Sequence, residues 1–148
     1  MAERFHEVNE HAGLANLKMS LACRPHDRCP GYLLTLRVTN VGDEPLRIRF
    51  PTSQQFDITI RNADGTRLWC WSADRSFLQM VSDRELIPGE STVYEVYWDG
   101  RQSDGATCGD GRYKATARFL GEVIGHVPPA TVEMILGERE PREDDDLP

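Results

Sequence analysis

Apolar and polar residues alternate with a period of two along most of the chain between Leu17 and Leu136. Successive side chains of a β-strand point to opposite faces, so this spacing predicts strands that each have one apolar face. No helical repeat of comparable length competes with it. The clearest alternating runs are Leu17–Cys23, Leu34–Val38, Leu46–Phe50, Phe56–Ile60, Tyr94–Trp98, Tyr113–Phe119 and Val132–Leu136.

Turn residues separate these runs at roughly the 8–12-residue spacing of a two-sheet fold. Asn62–Gly65 predicts a hairpin turn that uses Gly65 for positive φ, and Pro88-Gly89 predicts a tight turn. Strands that are apolar on one face only are typical of antiparallel sheets, since parallel strands are buried on both faces. We therefore predict an all-β fold, an immunoglobulin-like antiparallel β-sandwich of roughly seven to eight strands.

The chain has 148 residues, which suits a single domain with a sizeable core. We expect a loose N-terminal arm over residues 1–16, with at most a short edge contact. The sandwich is predicted to span residues 17–137, followed by a disordered acidic tail over residues 138–148. That tail carries −4 of the formal net charge of −7.

The acidic balance, with an isoelectric point near 5.1, argues against nucleic acid and against an anionic membrane surface as partners. The N-terminal residues include charges and histidines where a secretory signal has its apolar segment. No apolar run approaches the ~20 residues that span a membrane. We therefore expect a cytoplasmic protein.

The four cysteines are expected to be thiols, because disulfide frameworks are rare in the cytosol. Cys23 and Cys29 flank a short turn and could pair, and this alternative stays open at the level of sequence. Together with His26 they have metal-binding atoms, but their spacing differs from paired zinc motifs and a fourth ligand is missing. We expect no metal and no cofactor.

A nucleophilic enzyme needs a serine or cysteine beside a histidine and a carboxylate. The four histidines lie in the predicted arm, in a turn and in a loop, and no G-x-S-x-G elbow is present. We therefore predict no catalytic residue and no enzymatic activity.

Trp69 and Trp71 are two residues apart on a predicted strand and should share one face. Such a pair either lines the core, which is the commoner state of tryptophan, or forms an exposed platform on which sugars or peptides stack. The sequence leaves both interpretations open.

A set of residues in the middle of the chain forms motifs that are shared with a known family. They are Pro51, Ser53, Gln54, Phe56 and Asp57, Asp64-Gly65, Trp69, Trp71 and Ser72, Phe77 and Gln79, Leu86, Pro88, Gly89 and Glu90, Trp98-Asp99-Gly100, and Gly111 and Tyr113. Through these residues the chain resembles, between about Leu33 and Leu120, the BsuPI family of intracellular proteinase inhibitors, which have an immunoglobulin-like fold. Cys70 and the cysteine-bracketed turn at residues 23–29 depart from the family pattern.

The resemblance implies inhibition of a cytoplasmic, subtilisin-like serine protease through an exposed loop. The segment Ser72–Glu85 suits this role best, and we expect Phe77, Leu78 and Met80 to contact the protease. Phe77 has a second interpretation, in which it folds back beneath the loop as part of the core. The alternative function is a non-inhibitory immunoglobulin-like module for protein–protein interaction, because other such modules share the Trp98–Gly100 motif and the tail is acidic.

Overall fold

The computed structural model describes residues 6–11, 16–25, 31–105, 112–123 and 130–137. Within these residues the chain forms eleven β-strands and one short 3-10 helix, Trp71–Asp74. The strands are β1 His6–His11, β2 Leu17–Pro25, β3 Tyr32–Asn40, β4 Leu46–Phe50, β5 Phe56–Asn62, β6 Arg67–Cys70, β7 Ser82–Leu86, β8 Ser91–Trp98, β9 Arg112–Phe119, β10 Glu122–Val123 and β11 Ala130–Gly137.

The strands form three sheets with the orders β1-β2-β3-β8, β10-β4-β7 and β11-β9-β5-β6. Every described strand pair is antiparallel. The predicted all-β, antiparallel fold is confirmed, and one core that draws residues from all three sheets is consistent with a β-sandwich. The immunoglobulin-like topology within that class stays a prediction.

The strand number is higher than the predicted seven to eight, because three strands lack a periodic apolar signal. In β7 only Leu86 is buried, so no alternation marks this strand in the sequence. β10 has two residues, which is too short to show any period. β1 is the polar stretch HEVNEH, and its pairing with β2 is seen only in the structure.

Within the predicted N-terminal arm the structure describes residues 6–11 and Asn16, and residues 6–11 form β1. All six residues of β1 pair with β2, from His6 opposite Cys23 to His11 opposite Lys18. The other predicted boundary, Gly137, is the last residue of β11. The predicted disordered tail, residues 138–148, lies outside the described residues.

The core follows the predicted alternation where strands cross the middle of the fold. On β5, Ile58 and Ile60 are fully buried, and on β9 Ala117 and Ala115 lie directly opposite them. A small side chain facing a large one lets neighbouring strands fill the interior without overpacking. The hairpin turn that leads from β5 to β6 also forms as predicted, with Gly65 at a φ of +90° and its N–H donating to the Asn62 carbonyl at 2.9 Å.

Asn40 is a buried polar residue at the end of β3 that connects two sheets. Its side-chain amide donates to the carbonyls of Leu86 at 2.9 Å and Glu44 at 2.8 Å. Its side-chain oxygen accepts from the Gly42 N–H at 2.9 Å. Because the side-chain nitrogen and oxygen of Asn40 both have partners, Asn40 connects the end of β3 to the end of β7 without the cost of an unpaired buried amide.

Candidate functional site

The predicted contact residues Phe77, Leu78 and Met80 lie in residues 75–81, an irregular segment between the 3-10 helix and β7. The side chains of Leu78 and Met80 are 62% and 57% exposed, whereas Phe77 is half-buried. Val81, which the prediction omitted, is 61% exposed. Three large apolar side chains are therefore exposed to solvent within four residues.

Ser53 forms hydrogen bonds with both main-chain polar groups of Leu78. The Ser53 N–H donates to the Leu78 carbonyl at 2.9 Å, and the Leu78 N–H donates to Ser53 Oγ at 2.8 Å. This pair of bonds fixes the main chain while leaving the Leu78 side chain outside. The sequence did not predict this contact, although Ser53 is among the residues that carry the family resemblance.

The other end of the exposed segment is held by strand pairing, because Ser82 begins β7 opposite Phe50 of β4. The next rung pairs Arg49 with Asp83, and Arg49 Nε donates to the Asp83 carboxylate at 3.0 Å. This hydrogen bond lowers the pKa of Asp83, so the carboxylate stays ionised at neutral pH. Because this ion pair is exposed, it contributes little, and the pairing of β7 with β4 is what holds this end of the segment.

We call residues 78–81 the arch, because their two ends are tied to the same neighbouring segment. Between the ties, residues 79–81 lie opposite only Pro51 and Thr52. The arch is thus one residue longer than the segment to which it is tied, the same excess that defines a β-bulge. Its Leu78, Met80 and Val81 side chains are exposed.

Phe77 has a supporting position beneath the arch. Its ring lies 5.9 Å from that of Trp71, and Trp71 stacks on Phe56 at 4.2 Å. Phe56 stacks in turn on Tyr94 at 4.5 Å, and Tyr94 contacts Phe119 at 6.5 Å. A continuous aromatic column therefore runs from the core to the residue before the arch. Offset and tilted ring pairs of this kind add stabilisation beyond the buried area alone.

The prediction that Trp69 and Trp71 share one strand face is wrong, because β6 ends at Cys70 and Trp71 begins the 3-10 helix. Both rings are half-buried and pack against the core, Trp69 at 6.3 Å from Trp98. The Arg75 guanidinium lies over the Trp71 ring at 4.4 Å. With Phe56, Phe77 and Arg75 around it, the Trp71 ring is not an open platform for a sugar.

Asp57 explains why the chain leaves the sheet after Cys70. Its carboxylate accepts from the Ser72 N–H at 3.1 Å and from the Ser72 hydroxyl at 2.5 Å. The buried Cys70 thiol lies 3.4 Å from the same carboxylate. These contacts turn the backbone into the 3-10 helix and so set the direction in which residues 75–81 depart. The Phe56-Asp57 and Trp-x-Trp-Ser motifs are thus two halves of one local structure.

The polar turn after β8, residues 99–105, is hydrogen-bonded to β6. The Ser103 N–H donates to the Leu68 carbonyl at 2.9 Å, and the Ser103 hydroxyl contacts the same oxygen at 3.3 Å. Between this turn and the 3-10 helix lies a cleft of about 460 Å³, with Trp69, Asp74 and Arg101 in its lining. The turn carries no exposed large apolar side chain, which suits the rim of a contact rather than its centre.

Cys23 is a buried free thiol, and burial raises its pKa to about 12. It therefore stays protonated at neutral pH and lacks the thiolate that a reactive or metal-binding cysteine needs. Cys29 and His26, the other members of the candidate metal set, lie outside the described residues. Within the described ranges, no group of three or more His, Cys, Asp or Glu side chains has a metal-binding arrangement.

A comparison with known families gives a match that covers most of the chain. The family model BsuPI, described as an intracellular proteinase inhibitor, matches residues 17–123, which include the arch, the Ser53 tie and the aromatic column. No curated protein shows a significant match to the chain. None of the described residues belongs to a helix with the length and hydrophobicity that crossing a membrane requires.

Proposed function

The chain belongs to the BsuPI family of intracellular proteinase inhibitors, and from this premise we propose that it inhibits a subtilisin-like serine protease of the cytoplasm. The arch is the part that enters the protease cleft. The single observation that carries this proposal is the pair of hydrogen bonds between Ser53 and the Leu78 main chain.

Pre-organisation is the physical reason for choosing the arch. A protein that binds a protease loses conformational freedom at the contact, at a cost of about 0.5–1.5 kcal/mol for each immobilised side chain and more for an ordered loop. Ties at Ser53 and at Ser82 fix the backbone between them before the protease arrives. The free protein then already holds the shape that the complex requires.

The exposed side chains supply the affinity. Full burial of a leucine or methionine side chain contributes about 1.5–3 kcal/mol, and Leu78 and Met80 are both more than half exposed in the free protein. Few residues carry most of the binding energy of an interface, and they sit near its centre. A specific complex buries about 1,200–2,000 Å² in total, so flanking polar surfaces, including the 99–105 turn, complete the contact.

Phe77 supports the arch in this proposal instead of entering the protease. Its ring contacts Trp71 at the end of the aromatic column, and withdrawing it would expose both rings. The proposed contact set is therefore Leu78 and Met80, joined by Val81, with Phe77 as the residue on which they rest.

The test is a titration of the purified protein against an intracellular subtilisin, with hydrolysis of a small substrate as the readout. We expect the wild-type protein to inhibit at or below micromolar concentration. Replacing Leu78 with Asp should raise the inhibition constant by at least about 30-fold, because a hot-spot residue contributes about 2 kcal/mol or more. Its melting temperature should stay within about 2 °C of wild type, since Leu78 is exposed.

Val41→Asp is the matched control, because Val41 is also an exposed aliphatic residue but lies in the turn after β3. It should inhibit like wild type. Unchanged hydrolysis in the presence of micromolar wild-type protein contradicts the proposal. In that case the arch is better explained as the contact surface of a non-inhibitory interaction module.

A further inference from the structure

The main-chain polar groups of the arch differ in whether they already have partners. Both groups of Leu78 are bonded to Ser53, its carbonyl at 2.9 Å and its N–H at 2.8 Å. Among the described residues, the N–H and carbonyl groups of Gln79 and Met80 have no hydrogen-bond partner. The arch thus offers unpaired main-chain donors and acceptors immediately after its tied residue.

A serine protease makes specific demands on the residue that fills its primary specificity pocket. The carbonyl oxygen of that residue sits among the N–H donors of the oxyanion hole, and its neighbours pair with the protease as an added strand. Such a residue therefore needs a free carbonyl and a free N–H as well as an accessible side chain. Leu78 fails this requirement, because meeting it would break the two bonds that hold the arch in shape.

From these contacts we infer that Met80 is the residue that enters the primary specificity pocket, and that the target protease has an apolar pocket there. This inference rests on the proposed inhibitory function and specifies its orientation. Leu78 then acts as a tied neighbour whose side chain contacts the protease beside the pocket, not inside it.

The side chains of the arch support the same assignment. Met80 is 57% exposed and is the middle one of the three residues between the ties. An unbranched thioether chain adapts to a deep apolar pocket, whereas Val81 is branched at Cβ and Gln79 is polar. A protease that cleaves after long apolar residues matches Met80, and one that cleaves after Arg or Lys does not.

The experiment exchanges the pocket residue and measures inhibition of two proteases. One has an apolar primary pocket, and the other carries an aspartate at the base of its pocket, as trypsin does. Against the first protease, Met80→Ala should raise the inhibition constant by at least about 30-fold, and Met80→Leu should restore inhibition to within about threefold of wild type. Met80→Arg should lose inhibition of the first protease and gain inhibition of the second.

Leu78→Arg is the matched control, because it places the same cation two residues earlier on the arch. It should gain no inhibition of the second protease. If Leu78→Arg gains that inhibition and Met80→Arg does not, the inference is overturned while the inhibitory function stands. The same conclusion follows if the wild type inhibits and the three Met80 variants are indistinguishable from it. If the wild type inhibits neither protease, the proposed function fails and the inference fails with it.

Discussion

Removing one hydroxyl group from Ser53 tests whether the arch is held in shape before binding. Ser53→Ala deletes the Oγ acceptor of the Leu78 N–H, 2.8 Å away, and keeps the main-chain bond from the Ser53 N–H to the Leu78 carbonyl. The substitution touches no side chain that we place in the protease contact. Any loss of inhibition must therefore come from a looser arch.

The size of the effect follows from the strength of one hydrogen bond. A typical intramolecular bond contributes a net 0.5–1.5 kcal/mol, roughly, and this one is exposed, so water replaces the lost acceptor. Stability should fall by about 0.5 kcal/mol, a change in melting temperature of about 2 °C or less for a chain of this size. Affinity depends on the fraction of molecules whose arch is already shaped, and about 0.5 kcal/mol changes that equilibrium by about twofold, so the inhibition constant should rise by up to about twofold.

Two assays measure this prediction. Protease titration gives the inhibition constant, and amide hydrogen exchange at Leu78, which should become faster in Ser53→Ala, reports the arch without any protease. Ser53→Thr keeps the hydroxyl and should behave like wild type. Ser91→Ala is the matched control, since it removes a serine hydroxyl that is hydrogen-bonded to the Thr39 hydroxyl at 2.6 Å, between β3 and β8 and outside the proposed contact.

The reasoning is refuted if Ser53→Ala and Ser91→Ala have the same inhibition constant in a protein that does inhibit. It is also refuted if exchange at Leu78 is unchanged, because the hydroxyl would then contribute nothing to the order of the arch.

Two further predictions concern the framework that supports the arch. Asp57→Ala removes the acceptor of two Ser72 bonds and should lower the free energy of unfolding by about 1–3 kcal/mol, measured by urea denaturation, whereas Asp64→Ala in the exposed hairpin turn should leave it within about 0.5 kcal/mol. Asn40→Ala leaves the Leu86 carbonyl and the Gly42 N–H without their partners and should cost about 2–4 kcal/mol by the same measurement. A loss below about 0.5 kcal/mol in either variant contradicts the role given to that residue.

Side-chain periodicity predicted the strands whose faces are buried, and it failed where pairing depends on the backbone alone. Ile58 and Ile60 recur every second residue because alternate positions of β5 face the core. Ser82–Leu86 has a single buried residue, so its place beside β4 comes from main-chain bonding to a neighbour that local sequence does not reveal. β6 is shorter than its aromatic pattern suggests, because Asp57, thirteen residues before Cys70, captures Ser72 and turns the chain.

The candidate site was predictable in its apolar residues but not in its geometry. An exposed Leu78 and Met80 follow from a loop that is too irregular to bury them. The tie to Ser53 spans 25 residues of sequence, and a serine in a turn-rich segment looks the same whether or not it meets such a partner. The supporting position of Phe77 likewise depends on where the Trp71 ring lies after the strand has ended.

The Ser53 tie uses only main-chain atoms of Leu78. Every residue type except proline supplies the same N–H and carbonyl, so the bonding is indifferent to which side chain stands at that position. The identity of the exposed side chain at this position and the bonding that holds its main chain are thereby independent. Under the proposed function, a change of target protease would require new side chains on the arch and would leave the fold beneath it under no pressure to change.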